Sequence, residues 1–361
     1  MSISTARRNH LWLWFLWLGA FYTAWTWLVF GMDNVAATLA HWPIAAAMAL
    51  GSYVAGSTPM GGGTVGFPVL VLFFDMPASM GRDFSFAVQS IGMTSASIFI
   101  LCRRQGLARS MLFGAMLGAT LGVPLGIFFV APLFSDLWIK ISFAVIWCGF
   151  GLLHLYRLGE IASHQGMTEF SETWDFRIGA VLGFFAGATV VSVTGVGIDM
   201  VVYACLVLLF RTDLKIAIPT SVIIMAYCSV YGVLIKQFTT GMQPGTYENW
   251  LAAAPVVALG APLGVFIVSL IGRKPTLFLV AILCVGQYVW TCFNAFPSLG
   301  WLGIAVACVL VGILLYAFER LRRYGDVLAG DRPVSDVSHE AHLSSLGVEE
   351  IEPHVHTEAQ Q

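Results

Sequence analysis

Two short glycine-rich segments hold the residue types with which this chain could do chemistry. The first runs Ser57-Thr58-Pro59-Met60-Gly61-Gly62-Gly63-Thr64-Val65-Gly66-Phe67-Pro68, and the second Ser192-Val193-Thr194-Gly195-Val196-Gly197, with Asp199 two residues beyond. Glycine lets a backbone approach a ligand closely, because no Cβ intervenes. A helix that starts at such a break leaves its first N–H groups unpaired and carries partial positive charge there, which suits an anion. Ser57, Thr58, Gly61, Gly62, Gly63, Thr64 and Gly66, with Ser192, Thr194, Gly195 and Gly197, are therefore the candidate substrate-binding residues. They offer N–H and hydroxyl donors where no Lys or Arg stands at the centre of an apolar span: Arg82, Lys140, Lys215 and Lys236 all fall near span ends. The alternative is that these glycines serve close helix packing.

Asp199 is the only acid well inside an apolar stretch, which makes it a proton-coupling candidate. An N-cap of the half-helix that begins there is an equal alternative. Gln89 and Thr94, with Ser97 nearby, and Gln287 with Asn294, are path-lining candidates, and interhelical hydrogen bonding explains them as well. His154, at a span end beside Tyr156, reads as an interface anchor.

These residues must be positioned by membrane-spanning helices. Of the 361 residues, 58% are hydrophobic and 11% charged, and the mean hydropathy is +0.81. Runs of about 20 apolar residues recur, each long enough to cross a hydrocarbon core as a helix, and no period-2 alternation suggests barrel strands. The expected spans are 11–31, 43–61 with 64–74, 85–101, 110–133, 138–156, 178–195 with 198–210, 216–235, 250–271, 276–296 and 301–318. Segments 43–74 and 178–210 are too long for one straight crossing and contain the two glycine breaks. The expected fold is an all-α integral membrane protein with about 8 full transmembrane helices and two broken-helix hairpins. The seven cysteines show no metal-ligand spacing and read as small packing residues, and the N-terminal stretch reads as a retained helix, not a cleaved signal.

The same order of landmarks occurs twice. Val69–Phe74 is echoed by Cys205–Phe210 at an offset of 136, and Gly122-Val123-Pro124-Leu125-Gly126 by Gly260-Ala261-Pro262-Leu263-Gly264 at 138. Basic residues are retained in the cytoplasm. If each broken segment enters and leaves on one face and the N-terminus is inside, all of the 18 Lys and Arg except Arg82, Lys140 and Lys236 are cytoplasmic. A single crossing by the first broken segment instead leaves Arg103, Arg104, Arg109, Arg157, Arg177 and Lys236 outside. The double hairpin is preferred, and the halves become inverted repeats, an arrangement that points to a transport site near the midplane. The expected organisation is an N-terminal helix and loop (1–42), a first repeat (43–157), a linker (158–176), a second, inverted repeat (177–296), a final helix with a basic end (297–323), and an acidic, disordered cytoplasmic tail (324–361). His354 and His356 in that tail read as polar filler, with metal contact as the weaker alternative.

Enzyme classes are disfavoured. Gly195-x-Gly197-x-Asp199 has no second membrane aspartate of the kind an aspartyl protease needs. There is no His-Glu-x-x-His, no Gly-x-Ser-x-Gly and no phosphate-binding loop. No cofactor and no nucleic-acid partner is expected; the partners are a small anion and the lipid bilayer, with homo-oligomerisation left open.

Gly61-Gly62-Gly63-x-x-Gly66-Phe67-Pro68-Val69-Leu70, the weaker second copy at 194–210 and the two Gly-x-Pro-Leu-Gly elements resemble the sulfite exporter TauE/SafE family of membrane permeases over roughly 43–318. The second copy lacks a counterpart of Pro68 and has Asp199 in that neighbourhood. The resemblance implies transport of sulfite, organosulfonates or related sulfur oxyanions across the bacterial inner membrane; the Lys and Arg count above places both termini in the cytoplasm. Its rival is a non-transporting membrane assembly or maturation scaffold. Direction stays open: export of a monoanion gains about 2.3 kcal/mol per 100 mV, whereas uptake needs coupling.

Overall fold

The computed structural model describes residues 10–168, 170–330 and 334–335. Eight helices among them are long and apolar enough to cross a membrane, and the chain is an all-α, multi-pass membrane protein. A helix satisfies its own N–H and C=O groups, which hydrocarbon cannot do for it.

In chain order, α1 (Leu11–Thr26) runs through a π turn to Gly31, and the short α2 (Val35–Ala40) leads to α3 (Trp42–Ser57). After the first glycine break, α4 (Gly63–Pro68) continues through a π turn to Phe73. Next come α5 (Ala78–Cys102), α6 (Arg109–Leu125, prolonged to Leu133) and α7 (Asp136–Ile161). The second broken segment is α8 (Glu172–Ala186), a π turn, α9 (Ser192–Thr194) and, past the glycines, α10 (Ile198–Leu208). The chain then forms α11 (Leu214–Phe238), α12 (Thr246–Ile271) and α13 (Lys274–Ala329).

α13 is 56 residues of helix interrupted at Gly300, whose φ of 62° and ψ of −173° are not helical. Its two arms fold back on each other. Cys284 approaches Gly151 of α7 while Leu314 approaches Gly149, so both arms lie beside the same turn. Tyr288 Oη also lies 3.4 Å from Cys308 Sγ. The expected spans 276–296 and 301–318 are these two arms. The helix runs on to Ala329, past the expected start of the acidic tail at 324, because Arg211 and Arg322 pair with Asp326. Val334–Ser335 then pairs antiparallel with Met167–Thr168. The rest of the tail, His354 and His356 included, lies outside the described residues.

The duplication is visible in the elements. α5 and α11 start 136 residues apart (78 and 214) and end 136 apart (102 and 238). They lie antiparallel, since Asp83 near the start of α5 meets Lys236 near the end of α11 and Phe86 faces Gly232. Each lead-in helix packs on the Gly-x-Pro-Leu-Gly helix of the opposite half. Gly114, Gly118 and Gly122 of α6 face the Phe176, Ala180 and Phe184 backbone of α8, while Gly56 of α3 faces the Ala261 carbonyl of α12. Those glycines serve backbone approach, in keeping with small-residue packing in membranes. α10 is hidden from lipid, with every residue buried but Val201, as a half-helix ending at mid-depth must be.

Two expectations change. α5 begins at Ala78, not at 85, because Arg82 and Asp83, which break the apolar run, neutralise one another inside it. His154 is no interface anchor: it is fully buried, with Nε2 3.0 Å from the Tyr203 hydroxyl.

Candidate substrate site between the two broken helices

The two glycine breaks converge on one turn of α5, Ser85 to Gln89. A Cβ built on Gly61 would meet Gln89 Oε1 and, at 3.0 Å, Asp199 Oδ2. One on Gly63 would meet Val196 Cγ1 of the other break, Ser85 Oγ at 3.0 Å and Gln89 Nε2 at 3.3 Å. One on Gly195 would meet the Arg82 carbonyl and, at 3.1 Å, Ser85 Cβ. Left-handed backbone at Gly61 (φ 64°), Gly195 (φ 80°) and Gly197 (φ 107°) makes these turns possible. Gly61 and Gly63 therefore face side chains from other elements, unlike the packing glycines of α6, whereas Gly195 faces backbone as they do; the first segment's Gly66 faces Met48 and Phe84.

The breaks differ in their donors. The N–H groups of Gly61, Gly62 and Gly63 make no hydrogen bond among the described residues. At the second break Asp199 itself covers the start of α10: its Oδ1 accepts from the Met200 N–H at 3.0 Å, and the N–H groups of Gly197 and Asp199 face the same carboxylate. That is the capping role. Its other oxygen, Oδ2, is buried without a partner, as is Gln89 Oε1. Gln89 Nε2 donates to the Ser85 carbonyl at 3.1 Å. A carbonyl can only accept, so the amide is fixed with Oε1 turned toward Asp199. Two buried, unpartnered acceptors therefore lie beside the same point next to Gly61. The Cys228 thiol on α11 lies within electrostatic reach of Asp199. A Cβ on Gly61 or Gly63 has Gln89, and not Thr94, among its nearest neighbours, and Thr94 is half-buried, so the structure brings Gln89 to the tips.

The hydroxyls are committed locally. Ser57 and Thr58 donate to the Tyr53 and Val54 carbonyls, Ser192 to Ala188 and Thr194 to Val190 and Val196. Thr64 donates to the Met60 carbonyl and accepts the indole N–H of Trp147 at 2.6 Å. Trp147, on α7, is fully buried, stacks on Phe143 at 3.8 Å and would lie 3.5 Å from a Cβ built on Gly197, so one indole bonds to the first break and lies beside the second. Sequence reasoning missed it, because a Trp in an apolar run carries no local mark of its partner. Thr64→Val leaves that N–H buried and unpaired, at a cost of about 1–3 kcal/mol. In a double-mutant cycle, Thr64→Val should therefore cost much less in a Trp147→Phe background than in the parent, read by thermal unfolding in detergent. Equal losses in both backgrounds would show that the pair contributes nothing.

Two cavities lie at opposite ends of the bundle. One, of about 770 Å³, is lined by Arg104, Lys215, Arg273 and Lys274 together with Asp213. The other, of about 250 Å³, is lined by Arg82, Lys236, Thr240 and Ser192 of the second break. They occupy corresponding places in the two halves: Ser79 and Lys215, and Thr240 and Arg104, are lining pairs 136 residues apart, while Ala131 and Ser269 are 138 apart. Arg82 lies near the end of its span, one turn inside α5, but is buried there.

Broken helices that meet inside a bundle, with a cavity at each end, define a membrane transporter architecture. Residues 43–289 match the family model described as Sulfite exporter TauE/SafE, and the chain belongs to that family, whose members carry sulfur anions across membranes. α1 and the second arm of α13 lie outside the match. No curated protein and no solved structure matches the chain.

Proposed function

We propose that the chain is a secondary transporter, not an enzyme, that moves sulfite, an organosulfonate or a related sulfur oxyanion across the bacterial cytoplasmic membrane, with both termini inside. The observation that carries this reading is the meeting of both breaks at Ser85–Gln89 between two cation-lined cavities in corresponding places. Basic linings raise the local concentration of anions at each mouth. The free N–H groups of Gly61, Gly62 and Gly63 then offer the anion donors that need no buried basic side chain. Thr64 and the residues of the second break shape the other wall, and their hydroxyls contribute once they turn away from the carbonyls they now bond. Asp199, facing Gln89 Oε1, is the group through which proton binding couples to anion passage.

The test is flux into liposomes containing only this chain, with labelled sulfite, sulfoacetate and sulfate on one side. Uptake of at least one sulfur anion well above protein-free liposomes is expected, with dependence on an imposed pH difference. No flux for any of the three would remove the transport reading and leave the scaffold in its place.

A further inference from the structure

The charged cluster at the smaller cavity has more positive charge than its own acid can neutralise. Arg82 Nε lies 3.0 Å and Lys236 Nζ 3.2 Å from the same oxygen, Asp83 Oδ1, while Asp83 Oδ2 accepts the Gln243 backbone N–H at 3.0 Å. Asp83 is fully buried, Lys236 is 4% exposed and Arg82 9%. One carboxylate therefore serves two buried cations and a backbone N–H at once. The terminal guanidinium nitrogens of Arg82 make no hydrogen bond among the described residues, and Arg82 and Lys236 both line the cavity of about 250 Å³.

Architecture does not require this cluster. The offset of 136 places Ile218, Pro219 and Ile100 where the other half has Arg82, Asp83 and Lys236, so the corresponding helix crossing is built with apolar residues. Burying three ionised groups costs desolvation that an apolar replacement avoids. A role outside folding accounts for that cost. The cavity also reaches Ser192, and the Arg82 carbonyl abuts Gly195, so a group held here stands beside the second break.

We infer that Arg82 and Lys236 form an anion-binding site, with Asp83 as the internal counter-ion, that holds a small oxyanion next to the second broken helix before or after it passes the tips. The inference deepens the transport reading and rests on it for the ligand's class, a sulfur oxyanion. Guanidinium supplies two parallel N–H donors that match two oxygens of a sulfite or sulfonate group, and the ammonium adds a point charge. Asp83 competes with the anion for the same two cations.

That competition makes the site testable by sign. The probes are sulfite, sulfoacetate, sulfate and chloride, titrated by calorimetry into the full-length protein in nanodiscs. Arg82→Gln and Lys236→Gln should each weaken binding of the sulfur anions by about ten- to a hundredfold, the range for a lost charge-assisted hydrogen bond. Asp83→Asn should tighten it, because both cations are released to the ligand. Lys140→Gln, at the same end of the molecule but outside the cavity lining, should leave it unchanged. Where Arg82→Gln does not fold, Arg82→Gln in the Asp83→Asn background, which balances the charge, should bind more weakly than Asp83→Asn alone. A purely structural ion cluster gives the opposite pattern: Asp83→Asn lowers stability and does not raise affinity. That result, or parental affinity in both cation variants, overturns the site. Chloride binding with the expected variant pattern, and no sulfur anion bound, upholds the cation pair as an anion site and overturns the sulfur-anion reading instead.

Discussion

Gly63→Val should bring anion flux down to the level of protein-free liposomes while the protein still folds. Gly63 begins α4 with no left-handed strain, so the substitution acts through space alone. Its Cβ would lie 3.0 Å from Ser85 Oγ and 3.3 Å from Gln89 Nε2, and against Val196 Cγ1. Val196 stands between Gly195 and Gly197, both left-handed, and Gly195 is braced on the Arg82 carbonyl, so the second break can yield only by moving as a unit. Overpacking of this kind costs about 1–3 kcal/mol in stability, which a multi-pass protein can absorb. Function is less tolerant: displacing a binding constellation by about 1 Å can cost a hundredfold in rate. The control is Gly286→Val on α13, where nothing lies within 4 Å. Equal flux in the two variants would return the tips to a packing role and sink the shared site.

Asp199→Asn should separate anion binding from proton coupling. Asparagine keeps an oxygen for the Met200 N–H and places an N–H donor opposite Gln89 Oε1, the arrangement that a protonated Asp199 provides. The fold and the cap of α10 should therefore persist, with no loss of thermal stability. What disappears is the exchangeable proton. Flux driven by an imposed pH difference should fall to background, while anion exchange at equal pH on both sides continues. Gln89→Leu, which removes the facing acceptor and leaves the carboxyl able to ionise, should shift the pH dependence without abolishing it. An unchanged pH profile in Asp199→Asn would leave this residue as a structural cap and place the coupling group elsewhere.

The solvent, the spans and the breaks were legible in the sequence, because each is a local property. Apolar run length is set by transfer from water to hydrocarbon, and glycine in an over-long run marks where a helix must stop. The repeat was legible for a related reason, since elements that fold alike keep their spacing, as α5 and α11 do to the residue. Run length, however, fixes neither the rotation of a helix nor what it crosses. Tertiary structure alone decided that Gln89, and not Thr94 on the same helix, faces Asp199. It also decided that Trp147 joins the two breaks through Thr64. Arg82 is the plainest instance. Its place one turn from the start of α5 suggests a residue near water, yet Asp83, Lys236 from α11 and Gln243 from the following loop enclose it, so its burial is a property of three segments that only folding brings together.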